Sequence, residues 1–484
     1  MLAVVPRLPR FPATGVLVAV VFAMAGLSLL WASAPQFDPQ GWLLWGREIT
    51  DSKLPFSTFG YPSWKPLPAL VTVPLSLLGD SAPALWLVLM RVAMMLGLVV
   101  GFRLGRRLGG VAAGLVAVAA LILLPRWLGD GAQGFSEPLL VALVLLAIER
   151  HLAQRPWAAL VAALLAGLDR PEAWPLAAVL AFLLWRERGL GRPLASGLGF
   201  VVLLGLLPLA WFGGDWLGSH DAFHAGRLAR HAGNAIATRR GDPVIHSLDV
   251  IRESIMVPVA AGAIASLALA FRERDTVVVW AACVGWIAIT IASVTAGFPA
   301  DGRFVAPAAA LACVLAGAGF ARLVGLASRG KRSIALAVVL LALASPWTVA
   351  GTESLVSQAR ATRRLGRAVA SFDAATRALG GRTGVLACGE PGVVPALQTR
   401  LTWNMRAPTW AVRFRHPPGL LFDDQPGDVK ALLRHLHWRT NLPVRVAARF
   451  PRWRVYQFVS SARRPQPRWA GAPPGARCRF AGKT

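Results

Sequence analysis

The sequence predicts an all-α polytopic membrane protein of about eleven transmembrane helices with a small α/β domain at its C-terminal end. Three observations support that class. The 484 residues are 55% hydrophobic and only 15% charged, whereas soluble domains carry about a quarter charged residues. Apolar runs of helical length recur through the first 350 residues, and the short turns between alternate runs are rich in arginine.

The first run, Thr14 to Trp31, follows Arg7 and Arg10 and leads to no small-residue cleavage site. It reads as a retained first helix with a cytoplasmic N-terminus, not as a removed signal peptide. Further runs lie at 82–102, 109–126, 136–150, 156–169, 172–186, 194–214, 254–271, 275–297, 304–324 and 333–350. The stretch from Pro66 to Gly79 is short and broken by prolines, so it is expected as an interfacial or re-entrant helix. With that choice Arg103/Arg106/Arg107, Arg150/Arg155, Arg186/Arg188/Arg192, Arg272/Arg274 and Arg329/Lys331/Arg332 all fall on the cytoplasmic side, as the positive-inside rule asks.

An odd number of spans carries residues 351–484 to the outside. The chain therefore divides into a membrane domain, 1–350, and an extracytoplasmic basic domain, 351–484. Thr383 to Ala387 and Arg445 to Val459 read as β-like there. Cys388 and Cys478 lie in this domain and Cys283 and Cys313 lie within spans. An oxidising exterior allows Cys388 and Cys478 to pair.

The net charge of +27 comes from the cytoplasmic arginines and from the tail. The tail reads either as a solvated domain resting on anionic headgroups or as a surface that gathers an anionic glycan or lipid. Nucleic acid is excluded as a partner, because no zinc-finger, RRM or helix-turn-helix pattern appears and an exterior domain meets none. No Walker A loop, dinucleotide fingerprint, His-Glu-x-x-His or Gly-x-Ser-x-Gly element occurs in a credible context.

Polar clusters converge on the outer face in this topology. They are the loop 34–65 with Asp38, Trp42, Arg47, Glu48, Asp51, Trp64 and Lys65, the turn Arg126 to Pro138 with Asp130 and Glu137, the turn Asp169-Arg170-Pro171-Glu172, the loop 215–253, the turn Phe298 to Phe304, and the tail. Carboxylates beside arginines suit a reaction in which guanidinium groups hold an anionic lipid-linked group while a carboxylate takes a proton.

An early loop aspartate (Asp38), Ser136-Glu137-Pro138, Arg170-Pro171-Glu172 and Arg303-Phe304-Val305-Ala306-Pro307 occur in that order. Together they resemble the GT-C superfamily of integral-membrane glycosyltransferases, similar to the protein O-mannosyltransferase and aminoarabinose-transferase branch and to actinobacterial lipoglycan mannosyltransferases. The resemblance covers about residues 1–350, and the chain departs from the better-known branches in having no Asp-Asp or Asp-Glu pair in its first loop. It implies a polyprenyl-phosphate sugar donor, a lipid, glycan or protein acceptor, inversion at the anomeric carbon, and a plasma-membrane location among membrane lipids.

By that resemblance Asp38 is the general base. A helix cap or an ion pair with Arg47 is the competing reading, and Pro39 suits the cap. Glu137 or Asp130 would orient the acceptor or bind a divalent cation with Asp38; Glu137 equally suits the dipole of a first helical turn. Arg303 and Arg170 are candidates for the lipid phosphate, since the guanidinium fork matches phosphate oxygens, with snorkelling to headgroups as the alternative. Glu172, Trp42, Arg47 and Lys65 complete the expected substrate-binding set. Trp42 and the neighbouring tryptophans fit an interfacial belt or a sugar platform. His220 and His224 are spaced for one helical face, but no third metal ligand accompanies them. A transporter or flippase of a lipid-linked saccharide is the alternative function. It asks for polar residues near mid-bilayer, where the only clear charge is Arg91.

Overall fold

A computed structural model of the chain describes residues 13–59, 62–187, 193–237, 242–327, 330–409, 419–424, 444–458 and 478. The helices in chain order are α1 (Ala13–Leu27), α2 (Phe37–Thr50), α3 (Pro66–Ser76), α4 (Ala82–Leu123), α5 (Trp127–Gln133), α6 (Glu137–Leu152), α7 (Pro156–Asp169) and α8 (Trp174–Glu187). They continue as α9 (Pro193–Ser219), α10 (His224–Ala237), α11 (Pro243–Ser254), α12 (Val257–Ala270), α13 (Arg274–Thr295), α14 (Gly302–Leu326), α15 (Lys331–Ala378), α16 (Gly381–Leu386) and α17 (Gln398–Asn404). Each apolar run of the sequence lies in one of these helices, and the Pro66 stretch forms the short α3.

Among the described residues, five helices are long and apolar enough to cross a membrane, α4, α9, α13, α14 and α15, or up to seven spans if α5 with α6 and α11 with α12 each count as one broken span. α4 is a helical hairpin. Gly110 takes a left-handed φ of 80°, and Gly105 packs against Gly114 across the turn, so residues 82–108 and 111–123 run side by side. α7 and α8 have 14 residues each, about 21 Å at 1.5 Å per residue, short of a ~30 Å hydrocarbon core. Helix length alone therefore does not fix the span number.

The membrane core forms around α14, whose residues from Ala308 to Gly319 are buried throughout. Small side chains permit that. A Cβ on Gly317 would stand 2.2 Å from the carbonyl oxygen of Ala113, and one on Gly319 1.9 Å from that of Gly262, so α4, α12 and α14 approach backbone to backbone.

α15 runs without a break from the apolar stretch into the terminal domain, its last turns burying Phe372 against Phe422 and Trp453. Strands β1 (Pro391–Val393), β2 (Leu420–Asp423), β3 (Val444–Arg449) and β4 (Arg454–Phe458) form one sheet in the order β1-β2-β4-β3. β1 and β2 are parallel and the other pairs antiparallel. The β character expected from Arg445 to Val459 is present as β3 and β4 up to Phe458, with Val459 outside the described residues. That over Thr383 to Ala387 is not, because α16 occupies it. Gly380, at φ 92°, ends α15, and a single helical turn then drives the adjacent Val385 and Leu386 into the core. A disulfide joins Cys388 to Cys478, with their Cα atoms 4.6 Å apart.

Arg91 is held by neutral polar partners. It donates to Ser28 Oγ, Ser33 Oγ and the carbonyl of Ala132 at 2.7, 2.6 and 3.1 Å, tying the end of α1 to α5.

Candidate active site at one end of the helical bundle

Four helix ends bring the charged residues together, and each end is set by local sequence. Gln36 caps α2, with its side chain accepting from Phe37 N, which leaves Asp38 in the first turn. Asp301 caps α14 by accepting from Arg303 N at 2.9 Å, which places Arg303 at the second helical residue. Glu137 and Pro138 open α6, where proline suits the first turn. Arg170 is extended at φ −149° and ψ 134°, as a residue before proline should be, and so turns back from the end of α7.

The outcome is two adjoining clusters. In the more open one Arg303 Nη1 donates to Asp38 Oδ2 at 3.1 Å, with the two side chains 26% and 31% exposed. Arg303 Nε also lies 3.4 Å from Asp301 Oδ2, and Arg126 bridges Asp301 at 3.8 Å and Asp130 at 3.2 Å. In the buried one Arg170 donates to Glu137 and lies 3.5 Å from Glu172. Lys65 Nζ donates to Ser136 Oγ at 2.8 Å and sits 3.8 Å from Glu137. Phe304 lies under the Arg170 guanidinium at 4.5 Å and Phe135 under that of Arg303 at 5.5 Å. These rings supply cation–π support while limiting water.

Three cations, Lys65, Arg170 and Arg303, therefore face one buried region with Glu137 between them. Burial lowers the Lys65 pKa, partly opposed by Asp169 and Glu137. Hydrogen-bond capacity is left over. The Nε groups of Arg170 and Arg303 and the Oε2 atoms of Glu137 and Glu172 are buried with no hydrogen-bond partner among the described residues. Such groups cost free energy unless something else satisfies them.

Of the residues expected from sequence, Asp38, Asp130, Glu137, Lys65, Arg170, Glu172 and Arg303 assemble here. Trp42 and Arg47 do not offer a substrate surface. Trp42 is 1% exposed, edge-on to Trp86 and beneath Lys65. It packs where a sugar platform would need an open face. Arg47 is turned to the terminal domain, donating to the carbonyls of Trp403 and Ala407 at 3.0 Å each. It does not pair with Asp38. Its neighbour Glu48 accepts from the Thr409 amide and hydroxyl and from Ser57 N, and burial raises its pKa to about 7. His220 and His224 do not share a helical face, since α9 ends at Ser219, His220 has φ 57° and α10 starts at His224. Among the described residues no group of three His, Cys, Asp or Glu side chains is disposed to hold a metal ion.

Sequence reasoning left Arg126, Ser136, Asp169 and Asp301 out of the candidate site. Asp301 carries a readable sign, an aspartate just before a helical run. Asp169 ends α7 fully buried, within electrostatic reach of Lys65, Glu137 and Arg170. Its sign was its adjacency to Arg170.

No protein-family model matches the chain, and no curated protein matches it by sequence. Solved structures do. The chain is similar to ArnT from Cupriavidus metallidurans, both bound to undecaprenyl phosphate and in the apo state, with a TM-score of 0.55, 17% identity, and coverage of 94% of this chain and 100% of that one. A weaker likeness, with a TM-score of 0.45 and 12% identity over 83% of this chain and 65% of the other, links it to the archaeal oligosaccharyltransferase AglB from Archaeoglobus fulgidus in complex with an inhibitory peptide and a dolichol-phosphate. The likeness to ArnT shows that this chain shares the fold of that structure.

Proposed function

We propose that the protein is a membrane glycosyltransferase that moves a sugar from a polyprenyl-phosphate donor to an extracytoplasmic lipid, glycan or protein acceptor, with inversion and with Asp38 as general base. The observation that carries the reading is the pairing of Asp38 with Arg303 beside the buried Lys65, Arg170 and Glu137 cluster. The full-length likeness to ArnT, one structure of which is bound to undecaprenyl phosphate, supports the donor class.

In this reading the donor phosphate meets Arg303 and Arg170, whose unsatisfied Nε groups supply donors, while Lys65 adds a third positive charge. The phosphate competes with Asp38 for the Arg303 guanidinium, and the released carboxylate turns to the acceptor hydroxyl. The acceptor oxygen attacks the anomeric carbon as its proton passes to Asp38. The bond from that carbon to the phosphate oxygen breaks, and the charge growing on the leaving phosphate falls on preorganised cations. Glu137 and Glu172 hold Arg170 in place, and Asp130 holds Arg126. The site, the terminal domain and its disulfide all lie on the extracytoplasmic side, which agrees with an oxidising compartment.

Transfer of labelled sugar from a short-chain polyprenyl-phosphate donor by the purified protein tests the proposal. Turnover that depends on Asp38 supports it. Donor binding without transfer to any lipid, glycan or peptide acceptor, combined with donor translocation in vesicles, would replace it with a flippase.

A further inference from the structure

Arg360, Arg363, Arg364 and Arg367 are all exposed on α15. Their spacing of three, four and seven residues sets them along one helical face. The opposite face is occupied. Gln358 accepts from Gly129 N at 2.7 Å, Gln133 donates to Thr362 at 3.3 Å, and Gly366 lies against the backbone of Ala32 and Ser33. On the arginine face the Arg363 guanidinium lies 5.1 Å from the Trp31 ring, and Glu353, seven residues before Arg360 on that face, lines the same hollow as the four arginines.

Among the described residues the hollow is net positive, with four guanidinium groups to the one carboxylate of Glu353. None of the four arginines pairs with a carboxylate of the described residues, and the single acidic residue in all the remaining segments is Asp428. Four like charges on adjacent turns repel one another, so an anion bound along them gains from every one. Height above the membrane selects the kind of anion. Arg360 and Arg367 stand ten and seventeen residues past Ala350, the end of the apolar stretch, which is roughly 15 and 25 Å along a helix. The polar headgroup zone is only about 5–8 Å deep on each side. A phospholipid headgroup reaches Arg360 at best, and the upper arginines call for a ligand that rises out of the bilayer.

We propose that this face of α15 is a second anion site, apart from the Asp38 cluster, and that it binds an extended polyanion, a phosphate-bearing glycan chain whose charges follow the helix for about 10 Å. Guanidinium forks suit successive phosphates, and the stripe would hold such a chain upright beside the bundle.

The test uses the full chain in phosphatidylcholine nanodiscs, with inorganic tripolyphosphate as the probe and calorimetry as the readout. Wild type should bind. The fourfold variant Arg360→Gln/Arg363→Gln/Arg364→Gln/Arg367→Gln, shown by circular dichroism to be folded, should lose about tenfold or more in affinity. The control pair Arg272→Gln/Arg274→Gln, at the far end of the 22-residue α13, about 33 Å along that helix, should stay within about twofold, because exposed charges are screened over ~8 Å. Absence of wild-type binding, or an equal loss in the control pair, overturns the site. So does a comparable loss for wild type in nanodiscs containing phosphatidylglycerol, which would mean that membrane headgroups already fill the stripe.

Discussion

Arg303 Nη1 donates to Asp38 Oδ2 across 3.1 Å, joining two side chains 265 positions apart in the chain. The pair links the first turn of α2 to the first turn of α14. It holds the proposed base against the proposed phosphate ligand, a contact that binding of a donor would break.

Asp38→Asn keeps the shape of the side chain and removes the base. Transfer should fall by about 10²–10⁴-fold, the usual range for a positioned general base, with insertion and thermal stability close to wild type. Assaying the purified variant with a polyprenyl-phosphate sugar decides it, and wild-type turnover would dismiss Asp38 from the chemistry.

Arg303→Ala should cost well over tenfold in turnover, on the scale of about 2–4 kcal/mol for a lost preorganised donor. Arg303→Lys should recover only part, because it restores charge without the fork. A residue that merely anchors to headgroups would tolerate lysine fully, so the two variants together separate the roles.

Glu48 predicts a pH dependence of stability. Burial raises its pKa from the ordinary 4.5 to about 7 in the folded protein. The folded state therefore holds this proton more tightly than the unfolded one. The stabilisation is full below about pH 4.5, declines as pH rises between those values, and is lost above about 7. The thermal midpoint should drop between pH 5 and pH 8, and Glu48→Gln, which has no proton to lose, should flatten that drop. An identical pH profile in both proteins would refute the assignment.

The sidedness of the terminal domain can be read from its cysteines. With the Cys388 to Cys478 bond intact, an impermeant maleimide should not label intact cells, whereas after reduction it should label both positions. Labelling that requires cell lysis would put the domain inside and reverse the topology.

Gly319 lies 1.9 Å, as a would-be Cβ, from the carbonyl of Gly262. Gly319→Val should force α12 and α14 apart and cost several kcal/mol, as overpacking at a backbone contact does. The measured loss of folded protein in detergent should far exceed that of Gly325→Val, where nothing lies within 4 Å.

The sequence by itself determined the class of the protein and the positions of its helices. Long apolar runs have no stable alternative in a bilayer, and the arginine turns, Asp301 before its helix and Pro138 within the first turn of α6 mark the ends that local chemistry dictates. It also named most of the charged cluster, since polar residues at the ends of apolar runs are few. Partners were decided only by the tertiary structure. Whether Asp38 meets Arg47 or Arg303 depends on how α2 lies against α14, and nothing within either segment encodes that. Arg47 and Trp42 were drawn away by packing. One satisfies carbonyls of a domain more than 350 residues later, and the other fills a tryptophan core. The β-like run at Thr383 became a helix because Val385 and Leu386 bury together against a sheet formed from distant strands. Local propensity over so few residues is weaker than that burial.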